Sequence, residues 1–440
     1  MGNQNNIHIR HNKKILRQSQ KNQVSQFYIA CRNGDIETVK QILSTTPYEQ
    51  INQLEPNGST GLHAASFYGH TDIVRLLLLE YGCERHRLNS YGLTAYEEAT
   101  TQEIRRLFYR ASHMNRFHDE HNTFRNAFAI VSSSNEILAD NYENSEKINK
   151  YIQRFVTKEE IDKERIELSQ SQKLLQTRFG RYIIRKVLKY QGFDDDRLNK
   201  YITDKAFRIQ AIQKLIDEKV TPIHLDYKKC SQLLSNYAQY ENIDDLLKLY
   251  TLETPFYYQL RDDFLPFFWP LILEKNLKYR RFQGVSYRGV TMTNDDLECY
   301  RLAWNNPESI IETLTLSSTS LDRSVAEEFA ESQSTTSPNK IRTLMIFNFP
   351  RACDQALYLG KMPKYNLPCA SEYEDEQEIL IVPFTTFHVE NIQINSDEHH
   401  TTVITLKNIP LEKLSLSAAS KLLLKEGTQD YSYLLQKVGF

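Results

Sequence analysis

The sequence has no proline between Pro56 and Pro222, although it carries 13 in 440 residues and ten of them follow residue 250. Uniform architecture would scatter these helix breakers, so a helical front and a loop- and strand-rich back are expected. There is no run of 18 apolar residues, which excludes a membrane-spanning helix. The longest apolar block, residues 264–273, is too short and contains Pro266 and Pro270. The polar, basic N-terminus lacks the apolar stretch of a secretory signal. Gly2 would permit N-myristoylation, but Asn6 stands where Ser or Thr is preferred, so residues 1–22 are expected to be a flexible basic tail. Neither sign of charge is in excess: 54 Lys and Arg oppose 56 Asp and Glu. That balance disfavours nucleic acid or an acidic membrane as the main partner. The six cysteines (Cys31, Cys83, Cys230, Cys299, Cys353, Cys369) form no CxxC pair and show no metal-ligand spacing. No metal is expected. Reduced thiols in a cytoplasmic protein are the default, with a Cys353–Cys369 bridge left open. The chain does have 21 Phe and 26 Tyr, ample surface to bury, and a length that suggests roughly two to four domains.

Residues 24–110 are self-similar. Gly58 and Gly92 are 34 apart, as are Thr60 and Thr94, and Ala65 and Ala99; Gly34 and Gly69 are 35 apart. The clearest unit runs from Gly58 through Thr60, Gly61, Leu62, His63, Ala64, Ala65, Gly69 and His70 to Ile73, Val74, Leu76 and Leu77. Thr60 and His63 can bond across a tight turn. Ala64 and Ala65 allow helices to approach closely, and Gly69 can end a helix in the left-handed conformation. This unit resembles an ankyrin repeat, departing at Gly61, where Pro is usual, and by one extra residue near Leu79. Degraded units near Gln26 and Asn89 would complete a three-repeat stack over 23–112. The resemblance implies a protein-binding surface without chemistry, and structural roles for His63 and His70.

Residues 113–236 read as a helical connecting region, with apolar residues at helical spacing (Ile183, Ile184, Val187, Leu188; then Ile209, Ile212, Leu215, Ile216). Six basic residues between Lys173 and Lys189 form a stripe with no acidic member. A solvated helix face is the favoured explanation, with a phosphate-binding face the alternative.

From about residue 237, short β-rich runs alternate with turn residues. Three motifs here carry chemistry. Arg288-Gly289 follows a strand-like run. An arginine there can fork two hydrogen bonds to a diphosphate, and a glycine permits close approach of a ligand. Ser318-Thr319-Ser320 leads into a helix, with Asp322 or Ser320 as its cap. The segment from Ser371 through Tyr373 and Glu376 to Glu378 enters an apolar strand. Residues two apart at the start of a strand project from one face, which would aim both carboxylates at one site for distinct acid/base roles.

In this order and spacing, the three motifs resemble the R-S-E class of NAD-dependent mono-ADP-ribosyltransferases, supported by the segment Leu249–Tyr257 and by Val325-Ala326. The resemblance spans 237–410 and implies an α+β domain, a split β-sandwich of two sheets with N-terminal helices, followed by a helical segment over 411–440. It implies NAD as co-substrate, bound by Arg288, Gly289, Ser318, Thr319, Ser320 and Glu378. Arg288 would hold the diphosphate or its ribose. Ser318 would orient Glu378, and Glu378 would bond the nicotinamide ribose and stabilise its developing positive charge. Glu376 would bind and activate the acceptor, and a glutamate there goes with arginine as target. Tyr373, at the loop tip, would contact the protein substrate, or stand as an exposed turn aromatic.

The expectation is a multi-domain enzyme that transfers ADP-ribose from NAD to arginine on proteins, with ankyrin repeats gathering protein partners. An NAD glycohydrolase and an inactive ankyrin scaffold are the alternatives. No Ser/His/Asp arrangement supports a protease or phosphatase.

Overall fold

A computed structural model describes residues 24–109, 128–132, 152–155 and 200–410, less 202, 221, 223, 225, 253, 263–264, 307–308, 337–339 and 395–400. The expected tail 1–22, the basic stripe at 173–189, the helical spacing at 183–188 and the segment 411–440 lie outside the described residues. Residues up to 111 with 220–233 form one compact unit, and the remainder forms a second.

The first unit contains α1 (Gln26–Asn33), α2 (Ile36–Leu43), α3 (Tyr48–Ile51), α4 (Gly61–Tyr68), α5 (Thr71–Arg75) and α6 (Gln102–Leu107). Thr60 and His63 form a reciprocal cap at the start of α4: the two side chains lie 2.8 Å apart, and each accepts a backbone N–H of the other. His63 Nε2 also reaches the Leu93 carbonyl at 3.1 Å, tying two repeats together. Gly69 ends α4 with φ +84°, in the left-handed region. His70 Nε2 bonds the Arg32 carbonyl at 2.8 Å, so both histidines are structural.

Both departures from the repeat pattern have a packing reason. A Cβ at Gly61 would meet Phe27 Cε1 at 2.6 Å and Cys31 Sγ at 3.0 Å, so α1 occupies the space a proline ring would need. The extra residue near Leu79 is absorbed as a π-helical turn, Leu76–Glu80, closed by a bond from Tyr81 N–H to the Leu76 carbonyl at 3.2 Å. This keeps Ile73, Val74, Leu76 and Leu77 in the core. In the last repeat Thr94 pairs with Glu97 instead of a histidine, and a turn replaces the first helix.

In the second unit, α7 (Lys205–Lys219), α8 (Tyr227–Tyr240, shared with the first unit), α9 (Ile243–Thr251), α10 (Pro255–Asp262) and α11 (Leu265–Leu273) precede most of the sheet, with α12 (Asn294–Asn305) and α13 (Arg323–Thr336) between strands. The strands are β1 (Phe128–Ser132), β2 (Ile152–Phe155), β3 (Arg281–Met292), β4 (Ile310–Thr313), β5 (Ser317–Ser320), β6 (Ile341–Tyr358), β7 (Glu378–Ile381), β8 (Thr386–Ile394) and β9 (Thr402–Asn408).

Two sequence expectations change. The two sheets of a split sandwich are replaced by one nine-stranded sheet in the order β2-β1-β4-β8-β9-β6-β3-β5-β7, closed at one end by β7 pairing back onto β6. At 18 residues, β6 is long enough to pair with β9 over its first half and with β7 near its end. Register shifts in the β3–β6 ladder on either side of Phe282, next to Gly284 at φ +134°, supply the local bend that closure needs. The span 113–236 is also not uniformly helical. The run Phe128-Ala-Ile-Val-Ser forms β1 and pairs antiparallel with β4, because lack of proline permits strands as readily as helices. In α7, Ile212, Leu215 and Ile216 are buried as the spacing predicts, and α7 packs on α10 and α11.

The core lies on one face of the sheet. Met345, Phe347 and Phe349 alternate along β6 and meet Phe387 of β8, with Phe347 and Phe387 ring centroids 5.3 Å apart. Leu344 points to the other face, where Ala326 of α13 covers it. All six cysteines are free thiols, so no Cys353–Cys369 bridge forms. Among the described residues no helix is long and apolar enough to cross a membrane.

Burial keeps the His63 imidazole neutral, pushing its pKa down from 6.5 to about 4. Between those values the unfolded chain takes up a proton that the folded chain refuses. This contribution to stability is therefore complete above pH 6.5 and is lost as pH falls towards 4. Urea denaturation should show about 3 kcal/mol lost over that range. His63→Gln should flatten the dependence, and an equal fall in both proteins would remove His63 as its source.

Candidate active site

Three adjacent strands at the closed end of the sheet bring the sequence motifs together. Tyr287 of β3 pairs with Ser320 of β5, and Ser320 pairs with Glu378 of β7. One small cavity is walled by Arg288, Ser318, Ser320, Glu376 and Glu378, with Tyr287, Gly289 and Thr319. Val325, Ala326 and Phe329 of α13 form its apolar side. Arg288, Glu376 and Glu378 are only 6%, 6% and 2% exposed, so one guanidinium faces two carboxylates in a desolvated space. Electrostatic interactions gain strength there.

The hydroxyls of Ser318, Thr319 and Ser320 in β5 have separate partners. Ser318 Oγ lies 3.1 Å from Tyr250 Oη, at the end of α9. Thr319 Oγ1 donates to Ser286 Oγ at 2.8 Å and the Ile379 carbonyl at 3.1 Å, tying β5 to both neighbours. Ser320 Oγ donates to the Glu376 carbonyl at 2.6 Å and accepts the Asp322 N–H at 2.9 Å. Asp322 caps α13, taking the Ser324 N–H at 2.9 Å.

The two glutamates converge for a reason other than strand alternation. Only Glu378 lies in β7; Glu376 sits in the turn before it. Gln377 between them has φ +43°, and this left-handed step lets both carboxylates line one cavity. The hydroxyl on Glu378 is also not the expected one: Ser371 Oγ donates to Glu378 Oε2 at 2.8 Å, while Ser318 is engaged with Tyr250.

Tyr373 is 8% exposed, so it is neither a projecting loop tip nor an exposed turn aromatic, and it is not among the residues lining the cavity. Gly289 lines the cavity, but its lack of a side chain is required elsewhere. A Cβ there would lie 1.7 Å from the Ala326 carbonyl oxygen, so the glycine admits the backbone of α13.

Sequence reasoning missed Ser371, Tyr250 and Ser286 as contributors. All three lie inside segments carrying the resemblance, but spacing alone assigns them no partner.

An ankyrin-repeat family model matches residues 27–116 as three copies. The front of the chain carries ankyrin repeats. The NAD-capped RNA hydrolase NUDT12 of Homo sapiens is 40% identical over 76 residues, 17% of this chain and 16% of the relative, and the match falls in the ankyrin region. The chain thus spans about a sixth of the length of the curated relatives it matches. Solved structures similar to part of the chain include ADP-ribosyltransferases. HopU1 of Pseudomonas syringae pv. Tomato DC3000 is 15% identical, covering 45% of this chain and 87% of its own, with a TM-score of 0.27. Vis toxin, an ADP-ribosyltransferase from Vibrio splendidus, is 16% identical, covering 47% of this chain and 86% of its own, with a TM-score of 0.22.

Gly289→Ala should lower the unfolding free energy by about 3 kcal/mol in urea denaturation, because neither strand nor helix backbone can give way cheaply. Unchanged stability would show that α13 does not pack on β3 here.

Proposed function

We propose that the second unit is an NAD-dependent mono-ADP-ribosyltransferase that modifies arginine on proteins, and that the ankyrin repeats bind protein partners. The convergence of Arg288, the β5 serines, Glu376 and Glu378 on one cavity carries this proposal. Arg288 would hold the NAD diphosphate through its fork of donors.

The chemistry uses the two carboxylates differently. As the bond from the ribose anomeric carbon to nicotinamide breaks, nicotinamide leaves with the electron pair and positive charge grows on the ribose. Glu378, beside that charge and bonded to the ribose hydroxyl, would stabilise it. Glu376 would pair with an incoming guanidinium, orient it and take the proton released as its nitrogen bonds to the anomeric carbon. The excess of one carboxylate over the lone guanidinium in the cavity favours cationic acceptors. Desolvation by Val325, Ala326 and Phe329 would limit loss of the ribosyl group to water.

Incubation with labelled NAD and a guanidine acceptor tests this directly. Label should move to the acceptor. Label moving only to water would replace the proposal with an NAD glycohydrolase, and no release of nicotinamide would leave a non-catalytic scaffold. Glu378→Gln should reduce both transfer and NAD cleavage by about 10²–10³-fold with the melting temperature retained. Near-normal rates would remove its assigned role. Glu376→Gln should lose arginine transfer by about 10²-fold or more while NAD cleavage persists. Equal loss of both would show that Glu376 serves the nicotinamide step instead.

A further inference from the structure

We infer that Ser371 is the positioning residue for the Glu378 carboxylate, the part that the family resemblance gives to Ser318. This role rests on the transferase proposal for Glu378. Ser371 is 1% exposed, and its hydroxyl donates to Glu378 Oε2 at 2.8 Å. The same oxygen accepts the Tyr373 N–H at 3.2 Å. With that lone pair occupied, the hydroxyl hydrogen is left to the carboxylate.

The backbone around Ser371 is pinned on both sides. Ala370 N–H bonds the Leu359 carbonyl at 2.7 Å, and Glu372 N–H bonds Thr251 Oγ1 at 2.7 Å. Cys369 Sγ reaches the Ser371 carbonyl at 3.4 Å. Glu378 is held independently as the first residue of β7, where its carbonyl accepts the Leu359 N–H at 2.8 Å. Both ends of the Ser371–Glu378 bond are therefore fixed by backbone contacts that do not involve substrate. A hydroxyl held in this way preselects one carboxylate orientation, so the side chain need not be ordered during the reaction. The Ser318 hydroxyl instead lies 3.1 Å from Tyr250 Oη, a contact that joins β5 to α9.

The test is steady-state NAD cleavage and guanidine transfer by the full-length protein. Ser371→Ala should lower kcat roughly 10- to 100-fold, the worth of one hydrogen bond to a charged group, with KM for NAD within about twofold of wild type. Ser371→Thr, which keeps the hydroxyl, should recover most of kcat. If Ser371→Ala does not fold, Ser371→Cys supplies the same comparison through a weaker donor. A kcat equal to wild type overturns the role. So does a rise in KM with unchanged kcat, or a loss that threonine fails to rescue. A wild-type protein that releases no nicotinamide overturns the transferase proposal along with this role, whereas an active wild type with an unaffected alanine variant overturns this role alone.

Discussion

One buried guanidinium organises the second unit. Arg280, 2% exposed, uses all five of its donors. Two go to the carboxylate of Asp244 in the first turn of α9, at 3.2 and 3.1 Å. The other three reach the carbonyls of Tyr358, Gly360 and Pro368, at 3.3, 3.1 and 2.7 Å. The start of β3, the end of β6, the chain leading to the acidic segment and helix α9 are thereby locked to one point. Burying such a charge is tolerable only when every donor is met, and removing one partner from a buried pair costs about 3–5 kcal/mol.

The consequences run along α9. Its first turn is fixed by Asp244, and its last turn delivers Tyr250 to Ser318 and Thr251 to the backbone of Glu372. One helix therefore supports both the hydroxyl strand β5 and the segment that bears the two glutamates. On the opposite side, Gly289 lets α13 approach close enough to wall the cavity with Val325, Ala326 and Phe329. The site is a cleft between a helix seated on β3 and a turn clamped to β5, and it is shaped mainly by backbone contacts. Preorganisation of this kind is what an electrostatic mechanism requires, since the dipoles must be in place before charge develops.

Much of this was legible beforehand. The repeat showed through Thr60, His63 and Gly69 because each makes a short-range contact that spacing encodes, and through His70, which reaches the preceding unit at Arg32. The candidate motifs were legible through their order, and Arg288, Gly289, Ser318, Thr319, Ser320, Glu376 and Glu378 do line one cavity. The reasons given for particular residues were less secure. Glycine at 289 suited a ligand's approach in one dimension, yet a helix takes the space. Glu376 and Glu378 suited strand alternation, yet a left-handed Gln377 turns them together. Ser318 suited the carboxylate, yet Ser371 reaches it first. The first depends on which distant segment arrives alongside, and the other two on how the acidic turn itself folds, which residue spacing alone does not carry. The proline-poor span misled in a similar way, since it permits β1 as readily as a helix.

By itself the sequence determined the ankyrin stack and the residues carrying the candidate chemistry. These follow from periodicity, turn chemistry and charge, all local properties of the chain. The strand-rich unit reaches back to β1, ahead of the change expected near residue 237. Only the tertiary structure decided that the sheet is continuous and closes through β6, that Arg280 ties the parts together, and which hydroxyl holds which glutamate. The ties of Arg280 and the seating of the glutamate segment turn on contacts between distant residues, such as Asp244 with Arg280, 36 positions apart, and Thr251 with Glu372, 121 apart, where packing and the need to satisfy buried polar groups select the partner. The hydroxyl on Glu378 comes from Ser371, 7 positions away, through the fold of their shared turn.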